Sequence, residues 1–214
     1  MEVKNFLIVV LLIVIALLIY VTLPPSVRYF YAKSVEVEDI NKEPLEFNNS
    51  LVRVVGTVLF SYFPHAVIED NGSVIFLEGI DKNFTKGNRI EVIGKVVTVP
   101  VRKTEYDRWL KVISTKLVEE KYPITKPTEM DPRDVGPKNV GQLLKMRNLT
   151  LAKVYRSGGF YLLRFSELGL GCFLRENETS VKFLQGARYD IVGFPIYIVS
   201  QNDLFIRIIE ISLS

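Results

Sequence analysis

The sequence predicts a mainly β protein: an N-terminal membrane-spanning helix followed by two small five-stranded β-barrels. Three observations carry this. Phe6 to Leu23 is an unbroken apolar run of 18 residues. The remainder is punctuated by Gly, Pro and Asn-Gly into short stretches of alternating apolar and polar residues, the period-2 signature of half-buried strands. A self-similar pattern recurs about 97 residues apart, which implies two copies of one unit. With 214 residues and one cysteine, Cys172, no intrachain disulfide scaffold is possible. The hydrophobic fraction of 48% excludes a disordered or collagen-like chain. The boundaries are 1–33 for anchor and juxtamembrane stalk, 34–118 for the first barrel, 119–138 for a linker and 139–214 for the second barrel.

The anchor comes first. At about 1.5 Å per helical residue the run from Phe6 to Leu23 extends roughly 27 Å, close to a bilayer core. Only Thr22 falls outside the hydrophobic set, and the Pro24-Pro25 stop leads into Arg28, Tyr29, Phe30, Tyr31 and Lys33, residues suited to a headgroup region. No small-x-small cleavage site follows, and the run exceeds a secretory h-region, so the segment reads as an uncleaved signal anchor in contact with membrane lipid.

Flanking charge does not orient it, since Lys4 and the amino terminus stand on one side and Arg28 and Lys33 on the other. The asparagines do. Five N-x-Ser/Thr sequons occur, at Asn48, Asn71, Asn83, Asn148 and Asn177, where composition predicts about one by chance. Such acceptors are used only outside the cytoplasm. The expected localisation is therefore the cell membrane, single-pass, with extracytoplasmic C-terminal domains on a glycoprotein. Three Gln, one Cys and abundant charge suit a thermophile, and with the sequons suggest an archaeal surface.

In the first copy, Val52 to Val58 alternates, and Ala66 to Glu69 and Val74 to Leu77 flank an Asn71-Gly72 hairpin turn. Arg89 to Val99 and Trp109 to Val118 complete five strands. The second copy reads Leu149 to Tyr155, Phe160 to Phe165, Gly171 to Arg175, Tyr189 to Val199 and Leu204 to Leu213. The firmest shared pattern is G-x-R-[IY]-[ED]-[VI]-[IV]-G, from Gly87 to Gly94 and again from Gly186 to Gly193. Between the copies, Glu119 to Lys138 holds four prolines and reads as a semi-rigid connector. Asn139 to Arg147 reads as a short helical turn, and the acidic stretch from Glu36 to Asp39 as a solvated stalk.

Five short strands, the alternating first strand with Gly56, glycine-turned second and third strands and the [ED]-[VI]-[IV]-G run resemble the OB-fold, a five-stranded Greek-key barrel that binds oligonucleotides and oligosaccharides. The resemblance covers about Leu45 to Val118 and Asn139 to Ser214. Only about ten residues, Gly79 to Asn88, join strands three and four of the first copy, where many OB domains carry a helix.

Chemistry is sparse. His65 is the only histidine and has no second soft ligand nearby, so neither a metal site nor a cofactor is expected. No serine sits in a nucleophile elbow, so no catalytic residue and no enzymatic activity are expected. Cys172 lies in an apolar strand and reads as a buried hydrophobe. Rings and cations mix in one place, Lys153, Tyr155, Arg156, Phe160, Tyr161 and Arg164, the candidate ligand face. The sequence thus points to a membrane-anchored, extracytoplasmic binding or assembly module with a protein or glycan partner. The alternative is a cytoplasm-facing, membrane-tethered protein that binds single-stranded nucleic acid. Charge speaks only mildly for it, the second copy carrying net +3 and the first net −1.

Overall fold

The computed structural model describes residues 10–15, 31–102, 105–198, 201 and 203–214. The chain divides into two compact units, 1–33 and 34–214. In the first, residues 10–15 are helical and exposed. The expected membrane-spanning helix is not found: among the described residues no helix is long and apolar enough to cross a membrane. Much of the run from Phe6 to Leu23 lies outside the described residues.

The second unit contains both barrels. After a two-residue strand, β1 (Lys33–Ser34), come two short helices, α1 (Val37–Lys42) and α2 (Pro44–Phe47). The first barrel follows as β2 (Leu51–Tyr62), β3 (His65–Asp70), β4 (Ser73–Glu78), β5 (Arg89–Arg102) and β6 (Glu105–Glu119). A bridge strand, β7 (Thr128–Glu129), sits in the connector. The second barrel is β8 (Leu144–Ser157), β9 (Phe160–Phe165), β10 (Gly171–Arg175), β11 (Arg188–Ile198) and β12 (Asp203–Leu213).

Both barrels close in the same order. In the first, β2-β3-β4-β6-β5 returns to β2, and in the second β8-β9-β10-β12-β11 returns to β8. Within each barrel every pairing is antiparallel except that of the third strand with the fifth, β4 with β6 and β10 with β12. Two copies of one OB-like barrel are therefore present, and the strand stretches read from alternation fall inside the observed strands to within a residue.

The repeat pattern has a physical basis at both ends. Gly87 and Gly186 turn the chain into the fourth strand at φ +88° and +81°, a region open to glycine. Gly94 and Gly193 sit at β-bulges, with register shifts between Ile93 and Gly94 and between Val192 and Gly193. A Cβ there would lie 2.9 Å from the Lys111 carbonyl oxygen in one barrel and 2.5 Å from that of Arg207 in the other. The conserved spacing within the chain thus encodes where the fourth strand bends against the fifth.

Each barrel is plugged differently. Val37 and Ile40, fully buried, extend the first core together with Phe47, Ile80 and Phe84. The acidic stretch read as a solvated stalk is therefore α1, whose Glu38 and Asp39 face outward while residues i and i+3 face the barrel. The segment between β4 and β5 holds no helix, as its length suggested. In the second barrel, Met130 and Val135 from the connector and Val181 and Phe183 pack on the core. The helical turn expected over Asn139 to Arg147 is not formed; a 3₁₀ turn occupies Pro137–Asn139 and β8 begins at Leu144.

The connector does not hold two independent bodies apart. Leu59, Val67 and Val74 of the first barrel, Leu143 and Phe194 form one buried cluster, with Ile124, Val192, Ile196 and Ile209 against it. The backbone N–H of Thr125 donates to Glu69 Oε1 at 2.9 Å, and that carboxylate is 1% exposed.

Candidate functional site

In an OB barrel the outer face of the second and third strands, with the loop joining strands one and two, is the surface that takes a ligand. The two barrels differ sharply there. On the first, Val67 and Val74 of β3 and β4 are buried beneath Leu143 and Phe194. Glu78 Oε2 accepts from Trp109 Nε1 at 2.9 Å. This face is the seam between the barrels.

On the second barrel the β8–β9 part of the same face is exposed, while its β10 edge meets the first barrel through Arg175 and Tyr62. A bulge between Leu151 and Lys153 shifts the β8 register. Leu149 and Leu151 point into the core, whereas Lys153 and Tyr155 turn outward and are exposed. Directly opposite stand Arg164 and Leu162 of β9, with Phe160 paired to Ser157 at the hairpin. The face continues onto β10, where Phe173 pairs with Leu162 and Arg175 with Phe160. Cys172 and Leu174 alternate inward and are buried.

Rings tile this surface edge to face. Phe160 and Phe173 lie 6.2 Å apart, and Phe173 and Phe205 of β12 6.4 Å apart. The guanidinium of Arg175 lies 3.5 Å from the ring centre of Tyr62, at the tip of the first barrel's β2–β3 hairpin, and 5.5 Å from that of Phe160. Arg207, 4% exposed, is held by Glu178 and stacks over Phe60 at 4.6 Å. Arg175 and Arg207 are thus structural clamps across the seam. Among the described residues no salt bridge engages Lys153 or Arg164.

Of the six residues read from the sequence, the structure brings together Lys153, Tyr155, Phe160 and Arg164. Arg156 and Tyr161 pair with each other on the opposite face. Arg156 is engaged by Glu176, which holds its guanidinium above its usual range and the Glu176 carboxyl below its own. Tyr161 packs edge-on against Phe183 at 4.9 Å, at the rim of the core. Sequence reasoning missed Leu162, Phe173, Arg175 and Phe205. The signal was available for two of them, since Phe173 and Arg175 alternate with the apolar Cys172 and Leu174.

His65 touches Tyr62 and Phe76 through its ring, and among the described residues no group of His, Cys, Asp or Glu could hold a metal. Burial pushes the Cys172 thiol well above its ordinary range, so it stays protonated and unreactive. The five sequon asparagines, Asn48, Asn71, Asn83, Asn148 and Asn177, are all exposed.

No protein-family model matches the chain, and no curated protein matches it in sequence. Among solved structures it is similar to the p204 HINb domain, at TM-score 0.32 and 9% identity over 70% of this chain and 84% of that one. It is also similar to a murine DNA binding protein bound with double-stranded DNA, at TM-score 0.33 and 12% identity, covering 72% and 90%. A third is a multidomain protein with nucleic acid binding domains from Streptococcus pneumoniae, at TM-score 0.21 and 12% identity, covering 73% and 72%. At this depth the likenesses carry no functional argument.

Proposed function

We propose that the chain is a non-enzymatic binding protein for single-stranded nucleic acid, tethered to the cytoplasmic side of a membrane by the run from Phe6 to Leu23. One observation carries this reading: the β8–β9 part of the second barrel's face is exposed and joins the ring of Tyr155 to Lys153 and Arg164, which among the described residues no salt bridge engages. Tyr155, 51% exposed, offers a π-face to a base, and Lys153 and Arg164 stand beside it for phosphates; the rings of Phe160 and Phe173 already carry the guanidinium groups of Arg175 and Arg207 at 5.5 and 5.6 Å. The mild positive charge of the second copy sits on the barrel whose β8–β9 face is exposed.

Binding of a fluorescent oligonucleotide to the chain, followed by anisotropy across a salt series, tests this. Affinity falls as salt rises, and Lys153→Glu with Arg164→Glu flattens that dependence by about one to two contacts. Salt-independent binding, or none at low salt, rejects the reading.

A second reading rests on a separate observation, the exposure of all five sequon asparagines. It makes the protein an extracytoplasmic anchored module with a protein or glycan partner on the same face. Mass analysis of Asn71 and Asn177 in protein from its native membrane decides between them: glycan on either favours this reading, and bare asparagines with a protease-shielded C-terminus favour the first.

A further inference from the structure

The first hairpins of the two barrels meet at one arginine. The guanidinium of Arg175 lies 3.5 Å from the ring centre of Tyr62, the last residue of β2, and 5.5 Å from that of Phe160, the first residue of β9. Tyr62 pairs with His65 and Ser157 with Phe160. Each contact therefore falls beside a two-residue turn, Phe63-Pro64 in one barrel and Gly158-Gly159 in the other. The backbone N–H of Glu176 donates to the Gly159 carbonyl at 3.0 Å, which holds the β10 end that carries Arg175 against the second tip. We propose that the β2–β3 tip of the first barrel belongs to the nucleic-acid site, with Phe63 as a second stacking platform for a strand that also crosses Tyr155. This rests on the reading of the β8–β9 face given above and extends it to the other barrel.

Phe63 has what a platform requires. It is 62% exposed, more than Tyr155 at 51%, and among the described residues no ring or cation packs on it. Its backbone is braced. The Phe63 N–H donates to Asn83 Oδ1 at 2.7 Å, and the preceding Tyr62 stacks on Phe60 at 5.9 Å and on Arg175. A tip fixed in this way leaves little ordering cost to be met on binding. A cation accompanies the ring: Lys82, next to Asn83, is exposed, and among the described residues no salt bridge engages it. The tip thus repeats the composition of the β8–β9 face, an uncovered ring for a base and an unbridged cation for a phosphate.

The spacing suits one strand. Tyr155 lies opposite Leu162, Leu162 opposite Phe173, and Arg175 two residues further along β10. At about 4.8 Å between strands and about 3.3 Å per residue along one, Tyr155 and Arg175 are roughly 12 Å apart. Phe63 adjoins the ring that Arg175 holds. Sites on OB barrels take about 4–16 nucleotides, enough to cross both platforms.

Anisotropy of a fluorescent 12-nucleotide thymidine strand, titrated with the chain and with its Phe63→Ala, Phe63→Leu, Tyr155→Ala and Lys82→Glu variants across a salt series, tests the extension. Phe63→Ala is expected to weaken binding by at least about fivefold, with the melting temperature unchanged. Phe63→Leu, which keeps apolar bulk but has no π-face, is expected to weaken it similarly, and Lys82→Glu to lower the salt slope by about one contact. Binding that falls in Tyr155→Ala but is untouched by Phe63→Ala places the strand on the second barrel alone; it overturns the proposal and leaves the reading of the β8–β9 face standing. Full affinity in Phe63→Leu also overturns it, since stacking is then not what Phe63 supplies. Absence of binding at low salt overturns both.

Discussion

Tyr155 and Tyr161 are six residues apart on one hairpin, and a single bulged residue separates their fates. Because β8 shifts register between Leu151 and Lys153, Tyr155 emerges 51% exposed while Tyr161 lies against Phe183. Tyr155→Ala is expected to weaken single-strand binding by about 1–3 kcal/mol with the melting temperature unchanged. Tyr161→Ala is expected to lower the melting temperature instead. Equal effects of the two on binding would contradict the placement. Asp107 supplies a second residue-scale expectation. Burial pushes its carboxyl up from 3.8 to about 6, against the opposing pull of the Arg108 backbone N–H and guanidinium. With the folded value raised, the ionised form is penalised by folding: the penalty is absent below pH 3.8, grows as pH rises and is complete above about 6. Asp107→Asn should therefore stabilise the protein at pH 7.5, by on the order of 2 kcal/mol, and leave it unchanged near pH 4. Chemical denaturation at the two pH values reads this directly.

Among the elements, the fourth strands were the most legible, because the same glycines recur in both copies. The pattern ending in Gly94 and Gly193 marks the points where no Cβ fits beneath the fifth strand's carbonyls. Gly94→Ala and Gly193→Ala should each cost about 1–3 kcal/mol through overpacking. Gly136, extended and with nothing within 4 Å of its missing Cβ, should accept alanine with little change, and an equal loss at all three would remove the explanation. Strand β3 also carried a readable signal: Ala66, Val67 and Ile68 form a continuous apolar run, the mark of a strand buried on both faces. From the sequence the run reads only as one arm of a hairpin, and the seam it helps to form is not read from it. Helix α1 was hidden because four of its neighbouring residues between Glu36 and Lys42 are charged and only Val37 and Ile40 face inward. The bulge in β8 was equally invisible, since alternation read through Ala152 assigns Lys153 and Tyr155 to the face of Leu149 and Leu151.

For the 34–214 unit as a whole, the connector is part of the core. Ile124 joins the seam cluster, Met130 and Val135 cover the second barrel, and β7 pairs with β8 at Leu144 and Lys145. Separated barrels would expose Val67, Val74 and Phe194 to water, an apolar burial worth roughly 1.5–3 kcal/mol per side chain. The unit should therefore melt in one cooperative calorimetric transition, with calorimetric and van't Hoff enthalpies equal; two resolved transitions would mean the barrels are independent. The same seam covers the β3–β4 face of the first barrel, and on the proposed reading the exposed β8–β9 face of the second is where a strand binds. Anisotropy of a fluorescent single-stranded oligonucleotide against the chain and its Tyr155→Ala variant, across a salt series, tests this most directly. The expected result is binding that weakens with salt and drops by about 1–3 kcal/mol in the variant; binding indifferent to both salt and Tyr155 would contradict it.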